Sequence, residues 1–209
     1  MKDIPMFTTE NGVASLFLKE IPYSGIARVK IHSSLSPSDL LDECVSFCRA
    51  CGAETVHASG QSLDDYPLVA EIWEMRGSNL GDTDAMLFPL MEENAELWRQ
   101  IANDRFSGID NAATLTKADC MQMVKEGSAY FIHRDGELIG IGKVGDSSID
   151  LIASVKPGFG ADIMRALASV LPQDGVILRV ASTNDKATKL YKKLGFVCTD
   201  IISKWYKIF

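Results

Sequence analysis

The run from Val176 to Phe196 constrains this chain more than any other stretch. Val176-Ile177-Leu178-Arg179-Val180-Ala181 is apolar and β-branched enough for a buried strand. Ser182 or Thr183 then offers a helix cap, and Asp185 suits a first turn, where the helix dipole favours negative charge. In the helix that follows, Ala187, Leu190, Tyr191 and Leu194 share one face, while Lys186, Lys189, Lys192 and Lys193 lie away from it. Gly195 is a C-terminal stop, and Phe196 begins a new apolar run that reaches the C-terminus as one or two strands.

The residues before this run supply its partner. Ile149–Val155 reads as a strand, Lys156-Pro157-Gly158-Phe159-Gly160 breaks it, and a helix follows to about Leu171. Gln173-Asp174-Gly175 then leads into Val176–Ala181. Strand, crossover helix and strand make a parallel, right-handed unit. Gly158 and Gly160 let backbone N–H groups turn toward an anion at the start of the helix, although a tight turn alone would also need glycine there. Upstream, Ala129–Arg134 and Glu137–Val144 flank the turn pair Asp135-Gly136 as a hairpin. A helix capped by Thr116 should end before Gly127, and a longer one is expected over Leu87–Phe106.

The pattern N-x-x-A-x-x-L-Y-x-K-x-G-F, from Asn184 to Phe196, resembles the last motif of the GNAT N-acetyltransferase superfamily. Val155–Gly160 is similar to the cofactor loop of that family, with two departures. Val155 stands where an Arg or Gln of the loop motif would fall, and the usual stretch between the proline and the first glycine is missing. The order of elements from residue 85 onward also follows a GNAT domain. The resemblance implies an α/β fold with a mixed sheet, an acetyl-CoA co-substrate, and transfer of its acetyl group to an amine of a small molecule or peptide. It implies that Gly158, Phe159 and Gly160 hold the coenzyme diphosphate and that Ala153, Ser154 and Val155 pair with the pantetheine arm. It also implies that Asn184 contacts that arm or orders a water and that Tyr191 protonates the departing thiolate. Read without the family, Asn184 is a helix cap and Tyr191 a core aromatic. The amine must lose a proton, and Asp150, Glu137 and His133 are equal candidates to receive it. The short loop and missing arginine imply weak acetyl-CoA binding, unless Lys186 or Lys189 reaches the phosphates. A GNAT-like binding or sensor module without catalysis is the alternative.

Residues 1–84 are expected to form a smaller α/β half and residues 85–209 the GNAT-like domain, with Gly77–Asp84 as the linker. Strands are expected over Ala14–Ile21, Ile26–His32, Glu54–Ala58 and Val69–Met75, a turn at Pro22–Gly25, and a helix from Ser36-Pro37 to about Cys51. Shifting Ile26–Ser59 by 123 positions lays it on Ile149–Ser182 without a gap, strand on strand and helix on helix. Ile26, Asp39, Ser46, Gly52, Ala58 and Ser59 then match Ile149, Asp162, Ser169, Gly175, Ala181 and Ser182. The first half reads as a degenerate partial repeat that has lost the glycine loop and with it a cofactor site, the alternative being two strand–helix–strand units that simply share a similar length.

Charge and cysteine usage narrow the remaining classes. A net charge of −7 argues against a general nucleic-acid binder. No run is long and apolar enough to span a membrane, and the first residues lack a signal-peptide core. Five cysteines without an export signal suggest reduced thiols in a cytoplasm. Cys44, Cys48 and Cys51 fall inside one predicted helix and read as core rather than as metal ligands, and Trp73, Trp98 and Trp205 likewise read as core or interface. A homodimer is compatible with this composition.

Overall fold

The computed structural model describes residues 1–107, 109, 114–172 and 175–209. Gln173 and Asp174, read above as the lead into a strand, lie outside the described residues. The elements in chain order are β1 (Ile4–Thr9), β2 (Gly12–Phe17), α1 (Ile21–Ser24), β3 (Ile26–Ser34), α2 (Pro37–Ala50), β4 (Thr55–Ser59), β5 (Leu68–Gly77) and β6 (Met86–Pro89). They continue as α3 (Ala95–Phe106), α4 (Lys117–Glu126), β7 (Ala129–Arg134), β8 (Glu137–Val144), β9 (Ser148–Ser154), α5 (Gly160–Ala168), β10 (Val176–Ala181), α6 (Asp185–Lys193) and β11 (Val197–Lys207). The chain divides into two compact units, Met1–Ile72 with Ile201–Phe209, and Trp73–Asp200. The expected boundary between residues 84 and 85 falls inside the second unit, and the last nine residues return to the first.

In the first unit the strands run in the order β1-β2-β3-β4-β11. β1, β2 and β3 are antiparallel neighbours, β3 and β4 are parallel, and β11 is antiparallel to β4. Leu40, Leu41, Cys44 and Cys48 of α2 pack on Ala14, Leu16, Ala27, Val29, Val56 and Ala58. The two thiols are fully buried, and burial pushes Cys44 up to about 11 and Cys48 up to about 12.

In the second unit the order is β5-β10-β9-β8-β7-β6, with β9 and β10 parallel and β6 to β9 antiparallel. Its sheet has a core on each face. One gathers Ile163, Met164, Leu167 and Tyr191 from α5 and α6 over Ile132, Ile139, Ile149, Leu178 and Val180. The other sets Trp98 and Ala102 of α3 and Cys120 and Met123 of α4 against Phe131, Ile141 and Ala153. Gly140 and Gly142 of β8 let α5 lie close. A Cβ on Gly140 would stand 2.4 Å from Ile163 Cδ1, and one on Gly142 would stand 2.3 Å from Leu167 Cδ1.

Local chemistry explains the expected elements that stand. Thr116 and Asp119 form a capping box at α4, whose end is a left-handed Gly127. Asp135 and Gly136 both have positive φ, the requirement of a two-residue hairpin turn. Three expectations are corrected. Leu87–Phe106 is not one helix: Pro89 ends a short strand paired to β7, and the helix begins only at Ala95. Pro22–Gly25 belongs to a single helical turn, with proline near its start and left-handed Gly25 after it. The strand expected over Ala14–Ile21 stops at Phe17, where that turn takes over.

Candidate functional site: a cleft between two parallel strands

β9 and β10 begin as an ordinary parallel pair, with Ser148 opposite Ile177 and Ile149 opposite Leu178, and there the ladder ends. The other edge of β9 is irregular at the same place. Lys143 of β8 faces Leu151 while the next residue, Val144, faces Ile149, so Asp150 is an extra residue, a β-bulge. A bulge bends its strand and sharpens the twist. Here it stands at the point where the parallel ladder stops. The Asp150 carboxylate is held by Lys143 Nζ at 2.6 Å and by Ser148 Oγ at 2.6 Å, which fixes the bulged loop. Beyond it no further β9–β10 pair forms among the described residues, and the carboxyl ends of parallel strands are where open sheets take their ligands.

The strand residues expected at the cofactor divide into two groups. Val155 N–H donates to Ile139 O at 2.8 Å, so its backbone faces β8. Antiparallel alternation then turns Ala153 toward β8 as well, and turns Ile152 and Ser154 toward the cleft. Only Ser154, of Ala153, Ser154 and Val155, therefore has its backbone on the open side. Its hydroxyl donates back to Lys156 O. The Val155 carbonyl accepts from Arg105 Nη2 at 2.9 Å, a contact from the end of α3 that no local sequence signal announces.

Past Val155 the chain turns through Gly158, whose φ is +93° and whose Cα faces open space, to Phe159 at the start of α5. Gly160 lies close under α6: a Cβ there would stand 2.6 Å from Leu190 Cδ2. Lys156 pairs with Glu137. Asp162, in the first turn of α5, is bound by Arg134 at 2.9 Å.

On α6, Asn184 is the cap, in place of Ser182 or Thr183. Its Oδ1 accepts from Ala187 N at 3.2 Å. Tyr191 lies two turns further on the inward face, only 5% exposed, with its ring 5.9 Å from that of Phe196. Burial pushes its hydroxyl above the ordinary tyrosine value, so it stays protonated at neutral pH and is a weaker acid than in water. Of the three proton-acceptor candidates, Asp150 and Glu137 are already engaged by lysines. His133 lies two strands from the cleft with its ring edge-on to Phe88 at 4.9 Å, and its buried Nδ1 has no partner among the described residues.

No family model matches the chain, and no curated protein matches it. Solved structures do. An acetyltransferase from the GNAT family of Colwellia psychrerythraea aligns at 14% identity and TM-score 0.53, over 97% of this chain and 84% of that one. A putative acetyltransferase from Pyrococcus horikoshii aligns at 10% identity and TM-score 0.61, over 95% and 69%. A tandem GNAT protein from the clavulanic acid biosynthesis pathway aligns at 13% identity and TM-score 0.52, over 94% and 78%. At these identities the likeness is one of fold. The chain has the mixed α/β fold of the GNAT acetyltransferases.

Proposed function

We propose that the protein is an acyl-CoA-dependent N-acyltransferase that moves an acetyl group from acetyl-CoA to an amine of a small molecule or peptide. The observation that carries this reading is the parallel ladder that stops at Ile149 and Leu178, where Asp150 bulges out of β9. An extended thioester arm can lie in such an opening as an added strand and bond to the backbone of Ile152 and Ser154. Gly158, Phe159 and Gly160 would take the diphosphate. The amine nitrogen attacks the thioester carbonyl and loses a proton to water, the C–S bond breaks, and the thiolate takes the Tyr191 proton, giving an amide and coenzyme A. Tyr191 regains its proton from solvent. Titration calorimetry with acetyl-CoA tests binding, and thiol release over a panel of amines tests transfer. Absence of acetyl-CoA binding would overturn the reading.

Binding without thiol release would favour a second reading, a GNAT-like binding module. It is supported by two observations, the commitment of Asn184 Oδ1 to its own helix and the deep burial of Tyr191.

We further propose that residues 1–84 carry a degenerate partial copy of the domain in residues 85–209. The support is register. β3 and β4 align Ile26 with Thr55, and a shift of 123 carries that pair onto Ile149 and Leu178, a pair of β9 and β10. The ladder of the first unit continues through Lys30 and Ser59. Its pairing with β4 runs without a shift through Ala27, the residue equivalent to Asp150. A ladder paired along that length offers no slot for a thioester arm.

A further inference from the structure

The turn from Val155 to Gly160 offers a diphosphate few backbone donors, since Pro157 has no N–H. The cations around it are already engaged. Lys156 pairs with Glu137, Arg134 pairs with Asp162, and Arg105 bonds the Val155 carbonyl. A helix on the other side of the cleft supplies a charge instead. α6 leaves the carboxyl end of β10, so its first turn stands at the mouth of the opening. Its side position is fixed by the contact of Leu190 with Gly160. At about 100° per residue, Lys186 lies at the edge of the apolar face, about 40° round from Leu190 and one turn nearer the mouth, which sets it beside the Gly158–Gly160 turn. Lys189 points about 100° away from Leu190. Lys192 lies over the Trp73 ring at 5.5 Å, and Lys193 is two turns deeper than Lys186. Lys186 is exposed and has no carboxylate partner among the described residues.

We infer that Lys186 is the cation that receives the phosphate groups of the acyl donor, so that the charge selecting a phosphorylated thioester comes from α6, beside the turn after β9. The inference rests on the acyltransferase reading. A charge-assisted contact of this kind is worth about tenfold or more in affinity. Calorimetry with acetyl-CoA and with S-acetylpantetheine, which carries no phosphate, separates the two ideas. Wild-type protein should bind acetyl-CoA the more tightly. Lys186→Gln should weaken acetyl-CoA about tenfold and leave S-acetylpantetheine unchanged, with Lys193→Gln altering neither. Equal loss of both ligands in Lys186→Gln, no loss of either, or the same acetyl-CoA loss in Lys193→Gln would overturn the inference and leave the acyltransferase reading standing. Wild-type protein that binds neither ligand would end both.

Discussion

At Gly140 a single methyl group would meet Ile163 Cδ1 and, 2.7 Å away, the carbonyl oxygen of Ala153, a backbone atom that cannot step aside. Gly140→Ala is therefore expected to destabilise the protein by about 1–3 kcal/mol, read as a lowered urea midpoint with unchanged slope. An unchanged midpoint would mean that β8 shifts freely under α5. Tyr191→Phe keeps the packing on Phe196 and removes only the hydroxyl. It should lower turnover about ten- to a thousandfold with acetyl-CoA affinity nearly constant, in steady-state kinetics beside calorimetry. Wild-type turnover in that variant would leave water as the proton donor. Single residues were readable in the sequence where their role is local. Thr116, Gly127, Asp135 and Gly136 act through their own backbone and short-range bonds. Asn184 was readable as either a cap or a ligand contact, and the structure shows the cap. Arg105 on the Val155 carbonyl was not readable, because fifty residues separate the partners.

Elements with their own periodicity, such as α2, α4, α5, β10 and α6, could be drawn from the sequence to within a few residues. β6 could not, since four residues carry no period and the apolar run continues toward α3. The bulge was equally hidden. An extra residue exists only by comparison of one strand with its neighbour, and nothing in Ser-Ile-Asp-Leu marks Asp150 as the one left over. If the bulge opens the cleft, deleting Asp150 should let β9 follow β10 as β3 follows β4. Acetyl-CoA binding should then fall more than tenfold while far-ultraviolet circular dichroism stays native, and Asp150→Ala, which keeps the extra residue, should retain binding. Retained binding in the deletion would disconnect bulge and cleft. Helix α2 makes a separate prediction. Its two buried thiols have an ordinary value of 9.0 and folded values of about 11 and about 12, so the folded state holds their protons more tightly than the unfolded chain. The stability they contribute is complete below about pH 9 and is lost as pH rises through about 11 to 12. Cys44→Ala with Cys48→Ala should flatten that alkaline decline in urea titrations, and an unchanged decline would assign it to other groups.

For the whole molecule the expectation is one acetyl-CoA per chain, since the β9–β10 ladder stops at Ile149 and Leu178 while its counterpart in the first unit stays paired from Ile26 to Lys30. A calorimetric stoichiometry of two would refute the view that the first copy is closed. This difference also divides the backbone by rate. Amides of β3 and β4 lie in a ladder that only unfolding can break, so their hydrogens should trade for deuterium over hours. The amides of Ile152 and Ser154 face a gap and should trade within seconds. An occupant of the gap would slow these few positions and hardly touch the rest, which makes the cleft a clock that can be read without knowing the amine.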